Sequence, residues 1–192
     1  MYNPTSALSL EVQWQQFAAS RFNTMPIAGT MAWSIIGIAS LVLPPHFANL
    51  VIFIATGSIF YLALGLAKIT GEDLLGKKRP GNFFDRIFLS CVFMACLVYA
   101  IAIPFFFIDR SSLPLTVGIL TGLMWIPFSI IVRHWVGLFH GITRTALIVV
   151  AWYLIPEYRT AAISAIIVGV YAITLVVLRQ RHRAFHAAAA QP

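Results

Sequence analysis

The run from Arg133 to Pro156 constrains this chain more than any other stretch. Arg133-His134-Trp135-Val136-Gly137-Leu138-Phe139-His140-Gly141-Ile142-Thr143-Arg144 leads into an apolar tract that closes at Ile155-Pro156. Trp135 to Ile155 is 21 residues, and a helix of that length is about 31 Å long, matching the roughly 30 Å hydrocarbon core of a bilayer. A helix that began after Arg144 would have only 11 residues before Pro156 and could not span. The arginine therefore belongs inside the membrane segment, about 14 Å from its start. With Arg133 at 0° and about 100° per residue, His140 falls at about −20°, Arg144 at about +20° and Gly137 at about +40°. The expectation is one stripe of one helix carrying Arg133, His140 and Arg144.

The solvent follows from composition. Hydrophobic residues are 60% of the chain and charged residues 10%, against about 25% charged in soluble domains. The expected fold class is all-α: a polytopic membrane protein of six transmembrane helices arranged as three hairpins, with an N-terminal interfacial helix. The spans fall at about 27–43, 47–67, 84–108, 115–132, 135–155 and 158–178, inside a transmembrane domain over 23–179. Residues 1–22 form the amphipathic segment, with Thr5 or Ser6 as cap and Leu10, Trp14 and Phe17 on its apolar side, and it is expected to lie flat on the membrane. Residues 180–192 form a basic tail. The first 26 residues lack a basic region followed by an apolar core, so insertion is expected to rely on the first span. Pro127 is expected to kink the fourth span.

The net charge of +7 would suggest nucleic acid in a soluble chain, but no soluble stretch here is long enough to fold around it. The basic residues instead segregate by loop. Arg21, Lys68, Lys77, Lys78, Arg79, Arg86, Arg133, Arg179, Arg181 and Arg183 share one side, ten in all, against Arg110 and Arg159 on the other. The positive-inside rule then puts both termini in the cytoplasm of a bacterial inner membrane. Anionic membrane lipids are the expected partners of the basic loops and tail, and a homo-oligomer stays open.

Proline and glycine recur with the hairpins. Leu43-Pro44 precedes Gly57, Ile103-Pro104 precedes Gly118, and Ile155-Pro156 precedes Gly169 at nearly equal intervals. Gly118/Gly122 and Gly137/Gly141 are small-x3-small pairs on the fourth and fifth spans, expected to bring two backbones together beside His140 and Arg144. Gly57, Tyr61 and Gly65 form a looser version on the second.

A central arginine costs about 2.5–3.5 kcal/mol on insertion scales and normally has a partner. The carboxylates are Glu11, Glu72, Asp73, Asp85, Asp109 and Glu157, and none lies at its depth. Three answers stand open. The guanidinium reaches Asp85, Glu72 or Asp73 at the cytoplasmic side; it bonds hydroxyls such as Thr56, Ser58, Tyr61 or Tyr99; or it binds an anion from outside the chain. The candidate ligand site is therefore Arg144 and His140, with Arg133, Glu72, Asp73 and Asp85 at its mouth, and the acidic pair is expected to neutralise Arg133 or Arg144. A proton relay through His140 lacks an intramembrane carboxylate.

Catalytic and cofactor signals are thin. No P-loop, Ser-His-Asp set or His-Glu-x-x-His motif occurs, and no catalytic residue, metal or cofactor is indicated. Cys91 and Cys96 point about 140° apart on one helix, which argues against a disulfide or a shared metal. His182 and His186 at i, i+4 lack a third ligand.

Arg21-Phe22-Asn23-Thr24-Met25-Pro26-Ile27-Ala28-Gly29-Thr30, Thr70-Gly71-Glu72-Asp73-Leu74-Leu75-Gly76-Lys77 and Arg133-His134-Trp135-Val136-Gly137-Leu138-Phe139-His140 resemble an uncharacterised family of small bacterial inner-membrane proteins with six spans. The resemblance runs from Arg21 to Leu178 and implies the layout without assigning a role to any residue. Three functions remain: a cytoplasm-facing polar cavity that binds or moves an anionic small molecule or lipid headgroup; a structural or assembly protein with Arg144 in a closed network; or a membrane-embedded enzyme acting on lipid.

Overall fold

A computed structural model describes residues 8–189 and is all helical, with no strand among them. Helix α1 (Leu10–Ala18) is capped by the Ser9 hydroxyl, which accepts from Val12 N; the expected caps Thr5 and Ser6 lie outside the described residues. Then follow α2 (Thr24–Val42), α3 (Pro45–Thr70), α4 (Phe83–Leu97), α5 (Tyr99–Ile108), α6 (Leu113–Leu120), α7 (Trp125–Ile131), α8 (Val136–Leu154) and α9 (Arg159–Ala189). With α4–α5 and α6–α7 each taken as one span, six segments are long and apolar enough to cross a membrane. Side chains such as Ile38, Ile54, Phe93, Phe107 and Ile130 stand exposed on their outer faces. Bare apolar surface of this extent suits lipid rather than water.

The core is built by α2, which packs along both α3 and α9, and by α8 between α9 and the broken α6–α7 segment. Trp33, Ile36, Ile148, Ile163 and Ile167 are fully buried there. Small residues set the closest approaches. A Cβ at Gly137 would lie 2.8 Å from Ser129 N on α7, and one at Gly141 would lie 2.9 Å from Ile126. The paired glycines of the fifth span therefore seat α8 on α7, as small-residue packing predicts. Gly57, Gly65 and Gly169 face open space instead, so the looser pattern on α3 does not mark a helix contact.

The fourth span breaks rather than bends. Residues Thr121–Met124 form turns between α6 and α7, with i→i−3 bonds from Gly122 N to Ile119 O, Leu123 N to Leu120 O and Trp125 N to Gly122 O. Pro127 lies in the first turn of α7 and cannot donate to Leu123 O, which accepts from Ile126 N instead. The expected proline kink is thus displaced one turn toward the N-terminus and appears as a tightened, non-α segment.

The two ends of the bundle differ. At one end the turns after α2, α5 and α8 meet, and Asn49 Nδ2 donates to Arg110 O. At the other, here the basic end, α1 packs across the bundle. Phe17 is buried against Phe22, Phe84 and Phe88, while Trp14 Nε1 donates to Ile131 O. Leu10 stays exposed, so only part of the expected apolar stripe meets protein. Helix α9 continues unbroken past Leu178, where a separate tail is expected, and Arg181 donates to Ala18 O and Val132 O.

Candidate functional site

Arg144 is the ninth residue of α8 and is completely buried, as is His140 one turn earlier. Its Nη2 donates to Thr121 Oγ1 at 3.0 Å. Its Nη1 makes two longer contacts, each 3.5 Å, to Tyr171 Oη and His140 Nε2. Nε has no partner. The guanidinium carbon lies 5.7 Å from the ring centres of both Trp33 and Tyr171, within range for cation–π attraction. No carboxylate bonds it among the described residues.

The hydrogen bonds assign the His140 tautomer. Thr174 Oγ1 donates to Val170 O at 2.8 Å, so toward His140 Nδ1, 2.9 Å away, it acts as acceptor. The ring proton is then on Nδ1, which leaves Nε2 to accept from Arg144. Trp125 stacks on the imidazole with ring centres 4.3 Å apart. A neutral imidazole fits this arrangement and places no second cation beside the first.

The broken fourth span makes the cluster. Thr121 is the first residue of the break, and Gly122 beside it leaves the space that Arg144 fills, since a Cβ there would lie 2.9 Å from Arg144 Cδ. Thr121, Tyr171, Thr174, Trp33 and Trp125 are the site residues that sequence reasoning missed. Tyr171 and Thr174 stand at i, i+3 in the apolar second half of the sixth span, and that spacing was the available signal.

The other expected site residues lie at the basic end, each with its own partners. Arg133 has φ 50° and precedes α8, so it leaves the helical stripe assumed for it. It pairs with Glu11 at 3.0 Å and covers the Trp14 ring at 4.1 Å. Glu72 accepts from Asn23 N at 3.1 Å and Thr24 Oγ1 at 3.0 Å, holding the start of α2. Asp73 accepts from Lys77 N and Lys78 N. Asp85 takes both Nη2 and Nε of Arg79, which also donates to Gln16 O and Ser20 Oγ. The acidic pair therefore neutralises neither Arg133 nor Arg144, because backbone N–H groups and the Thr24 hydroxyl occupy these carboxylates and Arg133 pairs with Glu11. The alternative hydroxyl partners are also engaged elsewhere. Thr56 and Tyr99 bond each other, Ser58 donates to Ala55 O, and Tyr61 is exposed.

Burial raises the Glu72 carboxyl above its ordinary 4.5, opposed by the bonds from Asn23 and Thr24 and by the charge of Arg21. Burial likewise lowers His134 below its ordinary 6.5, and Arg181 adds to the effect.

Three spaces lie between these groups. A cleft of about 80 Å³ at mid-depth has Gly57 and Phe60 of α3 on one wall and Val92 and Cys96 of α4 on the other, with Thr121 and Tyr171 among its lining groups. Arg144 sits directly behind those two residues. At the basic end a polar groove of about 450 Å³ is lined by Arg21, Glu72, Asp73, Arg79, His182 and His186. Between them is a void of only about 10 Å³ among Phe22, Met25, Leu74, Phe88, Met124 and Phe128. In place of the single cavity expected from the sequence, floored by Arg144 and His140, there are two separate spaces, with the deep cation adjoining only the inner one. No group of three or more metal-ligating side chains occurs among the described residues.

Comparison with known sequences finds a match to a Family of unknown function (DUF7010) over residues 13–181. No curated protein and no solved structure matches the chain.

Proposed function

The chain belongs to that family of unknown function, and from this premise, which carries neither ligand nor reaction, we propose that it is a binding protein of the bacterial inner membrane for an anionic group. The group is a small oxyanion or the headgroup of a lipid, taken up in the mid-depth cleft with Arg144 as its counter-ion. Thr121 and Tyr171 stand between cleft and guanidinium. Small rotations of these two side chains bring the ligand into contact with the charge.

One observation carries the reading: a fully buried guanidinium with one good hydrogen bond, two long ones and an unpartnered Nε, and no carboxylate among the described residues to balance it. A buried charge left in this state is expensive. Bidentate pairing with a carboxylate or phosphate is the arrangement a guanidinium suits best. The excess of Lys and Arg at the basic end supports an orientation with that end and both termini in the cytoplasm.

A second reading rests on the complete burial of Arg144. In it the Arg144–His140–Thr121–Tyr171–Thr174 network is closed and serves only to hold α6, α8 and α9 together. Native mass spectrometry of the wild type and Arg144→Gln, each extracted with its lipids, separates the two. Retention of an anion by the wild type and its loss from Arg144→Gln is the expected result. If neither protein retains an anion and the variant merely melts at a lower temperature, the structural reading replaces the first.

A further inference from the structure

The groove, the narrow void and the cleft share their walls. Met25, Met124 and Trp125 line both the void and the cleft, and Glu72 lines both the void and the groove. A continuous line therefore runs from the basic end, past Glu72, between Met25 and Met124, to Thr121 and Tyr171 in front of Arg144. We propose that this line is the aqueous access route to the deep site, and that it is closed in this structure by a gate made of Met25, Met124 and the aromatic rings around them. The proposal rests on the binding reading above and adds where the ligand enters and its class: a water-soluble small anion arriving from the basic end, rather than a lipid sliding in from the bilayer.

The dimensions support a closed gate. A cavity needs about 10–15 Å³ to hold a single water, and the void has about 10 Å³. It admits at most one water and no hydrated ion. Its lining from Phe22, Phe88, Phe128 and the two methionines is apolar, and a constriction of that kind excludes ions by dewetting. Methionine suits a gate, since its unbranched, flexible side chain repacks at low cost.

Glu72 is the latch. Its carboxylate bonds Asn23 N and Thr24 Oγ1, fixing the Phe22–Met25 segment whose side chains fill the void. Phe22 is held there in a left-handed conformation, φ 55°, which side chains other than glycine seldom adopt. Releasing Glu72 frees this segment to withdraw Phe22 and Met25 together. Arg21 has no hydrogen-bond or ion-pair partner among the described residues and lines the groove; it offers an incoming anion its first charge.

Cys96 is a native reporter, because it is exposed, lies on α4 and lines the cleft beyond the gate without bonding any member of the Arg144 cluster. Membrane vesicles are treated with a charged, membrane-impermeant methanethiosulfonate, and modification at Cys96 is read by mass spectrometry. Wild type is expected to react slowly from either face. Met25→Ala, Met124→Ala and Glu72→Ala should each raise the rate about tenfold, as an opened apolar constriction requires, and only from the face that bears the basic end. Ile167→Ala removes equal bulk from the core away from the void and should leave the rate unchanged. An equal rise in Ile167→Ala would mean general loosening and would overturn the gate, as would no rise in any of the three variants or a rise from the opposite face. Anion retention is read separately, so an Arg144 site filled from the lipid side would survive such a failure.

Discussion

Arg144 has five N–H donors, and its surroundings offer two hydroxyls and one imidazole nitrogen. That mismatch is the chemical basis for the proposal that it takes a ligand. The Glu72 carboxylate is in a different position, with good partners but a buried setting that holds its ionisation above 4.5. The folded protein therefore binds this proton more tightly than the unfolded chain does. The resulting stabilisation is present in full below the ordinary value and is lost as pH rises through the raised one. Glu72→Gln removes this dependence. Thermal unfolding in detergent between about pH 4 and 7 should show a shallower decline for the variant than for the wild type. Parallel curves would mean that Glu72 titrates as it does in the unfolded chain.

At the scale of elements, close backbone approach orders the interior. Helix α8 lies on α7 because Gly137 has no side chain, and the carbonyl of Trp125 and the amide of Ser129 occupy the space a Cβ would need. Backbone atoms cannot swing aside as a flexible side chain does. Gly137→Ala should therefore cost about 1–3 kcal/mol of stability, the usual penalty for overpacking. Gly57→Ala, where the new methyl meets nothing within 4 Å, should be nearly silent or slightly stabilising. Unfolding in graded denaturing detergent measures both, and equal losses at the two sites would contradict this packing. Pro127 was visible as a local breaker. Only the i→i−3 bonds around Thr121–Met124 revealed where the fourth span gives way. The polar hydroxyl that meets Arg144 comes from that irregular segment, a place where backbone departs from regularity only inside protein.

At the scale of the whole molecule, α1 and the extension of α9 close the basic end. Trp14, Arg79 and Arg181 reach across it to main-chain carbonyls on other segments. The excess of positive charge at this end predicts that reporters fused at either terminus will be active only in the cytoplasm; activity of either fusion on the far side would reverse the direction of the access route. Span number, helix type, the uneven charge of the two ends and the immersion of Arg144 were all determined by the sequence alone, because hydropathy and helical period are properties of neighbouring residues. The partners of Arg144 and the use made of each acid were decided only by tertiary structure. Asp73 and Asp85 are taken up by groups within a few residues, and Glu72 by a helix start far along the chain. Which helices face the arginine depends on how α6, α8 and α9 pack around their small residues, and no local pattern encodes that meeting of distant segments.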